Sequence, residues 1–132
     1  MKLLLDTHVW LWGLLQPERL SPKAAAALQA RGNERWLSPI SVWEALVLAE
    51  RGRVTLEPDA QTWVRRQLAT AREREAPFDH EVALHSRLVR LPHQDPADRF
   101  LAATARAHEL TLVTADERLL SKPDGYSVLA AT

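Results

Sequence analysis

Short apolar runs alternate with longer segments of helical periodicity along this chain. The runs Leu3–Leu5 and Leu110–Val113 have the length and composition of strands that are buried on both faces of a sheet. Arg35–Leu37 and Tyr126–Leu129 predict two further short strands. Because predicted helices separate these strands, the pattern indicates an α/β fold with a parallel sheet covered by helices on both faces.

Serine or aspartate followed by proline is a strong helix-start signal, and it occurs at Ser21, Ser38 and Asp95. In the helix that begins at Pro58, Trp63 and Leu68 are predicted to face inward. The predicted helices are Val9–Leu15, 22 to about 31, Pro39–Arg51, 58 to about 74, 79 to about 88, 96 to about 108, and 114 to about 120.

Length and composition narrow the class of protein. The 132 residues fit one domain, residues 1–132, and the chain has no cysteine, so any bound metal must have oxygen or imidazole ligands. The apolar run after Lys2 stops at Asp6, too early for a signal peptide, and no stretch is long enough for a membrane span. We therefore expect a cytoplasmic protein.

The charge balance does not by itself indicate a nucleic-acid binder. Seventeen basic and 17 acidic residues cancel, whereas nucleic-acid-binding domains usually carry a basic excess. Arginines do crowd the middle of the chain, where they could bind phosphate or simply form a solvated helix face. They are Arg51, Arg53, Arg65, Arg66, Arg72 and Arg74.

Acidic residues follow the predicted strands, where the ligands of parallel α/β sheets bind. Asp6 follows the first strand, Asp116 follows Leu110–Val113, and Asp95 and Asp98 begin a helix. Glu44 lies in an otherwise apolar helical row, where an ionised carboxylate is costly unless it is paired or bound to a cation. Clustered carboxylates repel one another, so this pattern predicts a site for Mg²⁺ or Mn²⁺ that suits phosphodiester hydrolysis.

Each acid also has a purely structural explanation. Asp6 and Asp95 could be N-caps, and residues 114–117 match the T-x-x-E capping box. Glu44 could pair with Arg99 or Arg106. Only the joint placement of the acids favours the metal site.

Four segments resemble the motifs of the PIN-domain family, in the family's order and spacing. They are residues 3–12 (LLLDTHVWLW), 38–44 (SPISVWE), 93–103 (HQDPADRFLAA) and 110–116 (LTLVTAD). The resemblance implies a three-layer α/β/α sandwich with a parallel sheet of about five strands. It also implies similarity to the VapC toxins of bacterial toxin–antitoxin pairs, which are metal-dependent ribonucleases.

By this resemblance, Asp6, Glu44, Asp98 and Asp116 coordinate Mg²⁺ or Mn²⁺ and activate water. Asp98 rather than Asp95 is the third acid, because it precedes the helical run of that motif. Asp95 then acts as a cap or in the outer shell of the site, and the hydroxyls of Thr7 and Thr114 orient neighbouring carboxylates or waters. His8 and His93 are isolated histidines near turns, and such histidines are more often structural or solvent-facing than catalytic. We therefore predict no direct catalytic role for either.

The resemblance also implies an RNA substrate, a homodimer and a VapB-like antitoxin partner. The helices at Val9–Leu15 and Pro39–Arg51, with Trp10 and Trp12, are the predicted partner surface, although both tryptophans could instead pack in the core. Two other functions are alternatives. A haloacid-dehalogenase-like phosphatase would need an acid at position 8, where this chain has His8, and a non-catalytic PIN-like scaffold for RNA or protein would be favoured by loss of an acid.

Overall fold

The computed structural model describes residues 1–132 and contains a five-stranded sheet in which every neighbouring pair of strands is parallel. The strand order is β3-β2-β1-β4-β5, so the first strand lies at the centre of the sheet. The strands are β1 (Lys2–Leu5), β2 (Glu34–Leu37), β3 (Arg74–Glu75), β4 (Thr111–Thr114) and β5 (Ser127–Ala130).

Seven α-helices connect the strands, and a 3₁₀ turn at Pro17–Arg19 follows the first of them. None of these helices has the length and apolar character needed to cross a membrane. The helices are α1 (Thr7–Leu15), α2 (Pro22–Gln29), α3 (Pro39–Glu50), α4 (Ala60–Ala69), α5 (His80–Ser86), α6 (Pro96–Ala107) and α7 (Glu117–Ser121).

The central strand has apolar side chains on both faces, which creates two hydrophobic cores. Leu3 and Leu5 belong to one core, together with residues of α1 to α4, whereas Leu4 belongs to the other with residues of α6 and α7. Successive side chains of a strand point to opposite faces, so this alternation builds helix layers on both sides of the sheet. The predicted three-layer α/β/α sandwich is confirmed.

The structure corrects the prediction for residues 58–74. Helix α4 ends at Ala69, and Arg74–Glu75 forms the edge strand β3, which pairs with β2. The sequence did not predict this strand because its two exposed charged residues carry no strand signal. Leu68 is exposed rather than inward-facing, whereas Trp63 is buried as predicted.

Candidate functional site

A large cleft opens at the carboxyl ends of the central strands and contains the predicted acids. The cleft has a volume of about 1080 Å³. Residues separated by more than a hundred positions meet there because β1 and β4 are neighbours in the sheet. The acids lining the cleft are Asp6, Glu44, Asp95, Asp98 and Asp116.

Asp6 is the innermost acid of the cleft. It follows β1 directly, and its backbone N–H donates to the carbonyl oxygen of Val113 at 3.0 Å, which extends the pairing of β1 with β4. The Thr114 hydroxyl donates to Asp6 Oδ2 at 2.6 Å. Burial raises the pKa of the Asp6 carboxyl, and the hydrogen bond from Thr114 opposes this rise. Asp6 precedes α1, but its side chain makes no capping hydrogen bond, so the predicted alternative role as an N-cap is wrong.

Glu44 projects into the cleft from α3. The Thr7 hydroxyl donates to Glu44 Oε1 in a short hydrogen bond and also contacts Ser41 Oγ at 3.0 Å. Burial raises the pKa of Glu44, and the Thr7 hydrogen bond opposes the shift.

Neither Arg99 nor Arg106 contacts Glu44. Arg99 donates to the carbonyl oxygens of Ser86 and Val89, and Arg106 pairs with Asp124. The ion-pair alternative for Glu44 is therefore wrong, and its hydrogen-bond partner is the Thr7 hydroxyl.

The two aspartates of the third motif have different roles. Asp95 caps α6 by accepting from the backbone N–H groups of Ala97 and Asp98, at 2.9 and 3.2 Å. Asp98 lies one turn further on, is only 8% exposed, and contacts His93 Nε2 at 2.8 Å through its Oδ2. Burial raises the pKa of Asp98 to about 6, against the lowering effect of the His93 hydrogen bond.

Asp116 completes the acidic cluster and is held by an arginine. Arg118 donates from Nη2 to Asp116 Oδ2 at 2.9 Å and from Nε to Oδ1 at 3.2 Å, and Nη2 lies 3.6 Å from Asp98 Oδ2. The Arg118 hydrogen bond lowers the pKa of Asp116. The predicted capping box at residues 114–117 is wrong, because Asp116 caps α7 while the Thr114 hydroxyl bonds Asp6 and accepts from the Asp116 N–H.

His93 is a site residue whose role the sequence did not indicate. One ligand atom each from His93, Asp98 and Asp116 lie within 4.8 Å of one another. The only signal in the sequence is the position of His93 at the start of the third motif. The loop that carries it follows α5, whose end is fixed by the Arg99 hydrogen bonds to Ser86 and Val89.

The donor set fits a hard divalent cation. It consists of carboxylate oxygens and one imidazole, without thiolates, which is the chemistry that Mg²⁺ and Mn²⁺ accept. Burial and the neighbouring acids raise the pKa values of Asp6 and Asp98. The ionised carboxylates therefore repel one another, and a bound cation would offset this repulsion. Asp6, Glu44, Asp98 and Asp116 line one cleft, and Asp98, Asp116 and His93 could each offer a ligand atom to a single ion.

Comparison with known proteins identifies the family. Residues 3–125 match the family model of the PIN domain. The chain is 38% identical over 121 residues to Ribonuclease VapC22 of Mycobacterium tuberculosis, and the match covers 89% of both chains.

Solved structures share the fold at low sequence identity. VapBC2 from Rickettsia felis, bound to a DNA fragment from its promoter, matches with a TM-score of 0.74 and 16% identity over 100% of both chains. DNA-bound VapBC from Salmonella typhimurium matches with a TM-score of 0.70 and 20% identity over 98% of both chains. The family model matches most of the chain, and the 38% identical relative is a VapC ribonuclease. The chain therefore belongs to the PIN-domain family and is a VapC-like member of it.

Proposed function

We propose that this protein is a divalent-metal-dependent endoribonuclease that hydrolyses RNA phosphodiester bonds, and that it is the toxin of a VapBC-type toxin–antitoxin pair. One observation carries the proposal: four carboxylates from four distant segments line the same cleft. The 38% identical relative is named as a ribonuclease, which agrees with this chemistry.

The proposed mechanism assigns the metal site to Asp6, Glu44, Asp98 and Asp116. The chemistry that Mg²⁺ or Mn²⁺ supplies when bound is neutralisation of the phosphoryl oxygens and activation of water. Thr7 and Thr114 fix the orientation of Glu44 and Asp6 through hydroxyl hydrogen bonds. The His93 imidazole orients Asp98 through the contact of its Nε2 with Asp98 Oδ2.

A toxin of a VapBC-type pair also has an antitoxin partner. The solved relatives include toxin–antitoxin complexes, and we propose that a VapB-like antitoxin binds this chain. Trp10 is 2% exposed and packs on Trp63, so it belongs to the core and not to the proposed partner surface. Trp43 on α3 is 56% exposed and remains available to a partner. A homodimer and a cytoplasmic location, where RNA is accessible, complete the proposal.

The decisive experiment is cleavage of a 5′-labelled RNA by the purified chain. We expect cleavage with Mg²⁺ or Mn²⁺, none in chelator, and none for Asp6→Asn or Asp98→Asn. Glu50→Gln is the matched control, because Glu50 is exposed at the end of α3 and lies outside the cleft. Circular dichroism establishes that the variants are folded. Cleavage that persists in chelator, or in both aspartate variants, would refute the proposal.

A further inference from the structure

One wall of the cleft is aromatic and basic, in contrast to its acidic floor. His8, Trp12 and Arg19 line this wall, and Asp6, Asp98 and Asp116 line the same cleft. The Trp12 side chain is half-buried, whereas His8 and Arg19 are exposed. The half-buried ring of Trp12 therefore lines the same cleft as the acidic cluster.

The periodicity of α1 separates the two tryptophans that the sequence presents as a pair. His8 and Trp12 are four residues apart and share one face of the helix, with their ring centroids 6.0 Å apart. Trp10 points the opposite way and packs on Trp63, with centroids 5.8 Å apart. Only Trp12 is therefore directed into the cleft.

The 3₁₀ turn after α1 brings a guanidinium over the Trp12 ring. The Arg19 Cζ lies 4.3 Å from the ring centroid, and Nη1 donates to Gln16 Oε1 at 3.3 Å. No carboxylate pairs with Arg19 within salt-bridge distance. Its contacts are a cation–π interaction and one neutral hydrogen bond, which hold an exposed arginine only weakly.

We propose that Trp12 and Arg19 form a nucleobase-stacking subsite for single-stranded RNA, adjacent to the acidic cluster. In this subsite a base stacks on the indole face, and the guanidinium of Arg19 moves from the ring to a backbone phosphate. This inference rests on the proposed ribonuclease function and adds to it a subsite that binds an unpaired base of the RNA. Aromatic faces beside cationic groups are how proteins bind unpaired strands, because every base has a π-face and every linkage has a charge.

Three arginines line the cleft and are available to a phosphate: Arg19, Arg53 and Arg118. Five acids line the same cleft, so a polyanionic occupant also requires the proposed divalent cation to offset their charge. Arginine forks match phosphate oxygens. The volume of about 1080 Å³ exceeds that of ordinary small-ligand pockets, which leaves room for nucleotides on either side of the scissile phosphate.

Several exposed apolar residues that would suit a protein partner lie outside the cleft. Trp43 and Leu14 are 56% and 43% exposed and do not line the cleft, whereas Leu15, which is 41% exposed, does. The wall formed by His8, Trp12 and Arg19 combines two aromatic rings with a guanidinium group, which fits a base and a phosphate better than an apolar helix. Docking of an antitoxin at Trp12 is the competing outcome of the test.

The test measures binding of a fluorescein-labelled single-stranded RNA octamer by anisotropy, and a gel confirms that the octamer stays intact. All proteins carry Asp98→Asn, so that cleavage does not interfere. A stacked base typically contributes roughly a 5- to 100-fold gain in affinity. We expect Trp12→Leu to lose about this much, Trp12→Phe to lose less, and Trp43→Leu, the matched exposed tryptophan, to bind normally.

A set of octamers with one abasic position each identifies the stacked base. We expect one position at which removing the base weakens RNA binding by the protein that retains Trp12. At the same position, removing the base should change RNA binding by Trp12→Leu very little. Equal binding of Trp12→Leu and Trp43→Leu, or additive losses at every abasic position, would overturn the inference. If Trp12→Leu abolishes co-purification with a co-expressed antitoxin while RNA binding is unchanged, the wall is a protein-docking surface.

The test of RNA stacking at Trp12 and the test of metal-dependent cleavage can fail independently. Stacking at Trp12 without metal-dependent cleavage would refute the nuclease and leave an RNA-binding cleft. Metal-dependent cleavage with normal RNA binding by both Trp12 variants would leave the nuclease and refute the subsite. Thermal unfolding of both Trp12→Leu and Trp12→Phe distinguishes a loss of RNA binding from a loss of folded protein.

Discussion

The hydroxyl of Thr114 donates to Asp6 Oδ2 at 2.6 Å, a side-chain contact between residues 108 positions apart. Both residues are buried at the carboxyl ends of the neighbouring strands β1 and β4. The same hydroxyl accepts the backbone N–H of Asp116 at 3.0 Å. A single threonine thus connects two acids of the cluster.

Replacement of this hydroxyl tests its contribution to the site. Thr114→Val keeps the side-chain shape but removes the donor to Asp6, so we expect Mn²⁺ affinity and RNA cleavage to fall by about 10- to 100-fold. Titration calorimetry measures the affinity. Thr104→Val is the matched control, because Thr104 is also fully buried but donates to the Phe100 carbonyl within α6. Equal effects of the two changes would contradict a specific role for Thr114.

Arg118 binds the carboxylate of Asp116, which we propose as a metal ligand. Its guanidinium contacts both Asp116 oxygens and lies 3.6 Å from Asp98 Oδ2. Removing it in Arg118→Ala frees these carboxylates, so we expect Mn²⁺ to bind about two- to five-fold more tightly, the range for an exposed ion pair. Arg90→Ala, an exposed arginine outside the cleft, is the control. Weaker Mn²⁺ binding by Arg118→Ala would show that the arginine supports the cluster instead of competing for it.

Asp98 gives the metal-free protein a defined pH dependence. Burial raises the pKa of Asp98 to about 6, whereas an aspartate in an unfolded chain titrates near about 3.9. Between these values the folded protein binds more protons than the unfolded chain, so the contribution of Asp98 to the free energy of unfolding decreases as pH rises.

This sign predicts a specific difference between two melting curves. In chelator, the melting temperature of Asp98→Asn minus that of the unmodified chain should increase from about pH 4 to about pH 7, because asparagine does not ionise. Differential scanning fluorimetry measures both proteins across this range. Mn²⁺ at pH 7 should raise the melting temperature of the unmodified chain more than that of the variant. A constant difference at all pH values would contradict the raised pKa.

Leu4 of the central strand β1 contributes to the free energy of unfolding. Leu4 is fully buried in the core on the α6 side of the sheet. Leu4→Ala should lower the free energy of unfolding by about 2–5 kcal/mol through lost burial and the resulting cavity. Leu84→Ala, at a leucine that is 60% exposed, should change it by less than about 0.5 kcal/mol. Urea denaturation measures both, and comparable losses would contradict the assigned core.

Local sequence was sufficient to predict four of the five strands and the starts of most helices. Leu3–Leu5 is apolar on both faces and is therefore confined to the middle of a parallel sheet. Ser21, Ser38 and Asp95 cap their helices as predicted, since capping depends only on residues within one turn. The motifs also predicted that Asp6, Glu44, Asp98 and Asp116 come together, and these four are among the five acids that line the cleft. Their role as metal ligands stays a prediction.

Only the tertiary structure decided which partner each polar side chain takes. Thr114 bonds Asp6 instead of capping a helix, Glu44 bonds Thr7 instead of an arginine, and His93 reaches Asp98. It also decided that Trp10 enters the core while Trp12 lines the cleft, and that Arg74–Glu75 completes the sheet. Periodicity and capping act over a few neighbouring residues, whereas these contacts depend on strand order, which brings β1 next to β4 and sets the distances across the cleft.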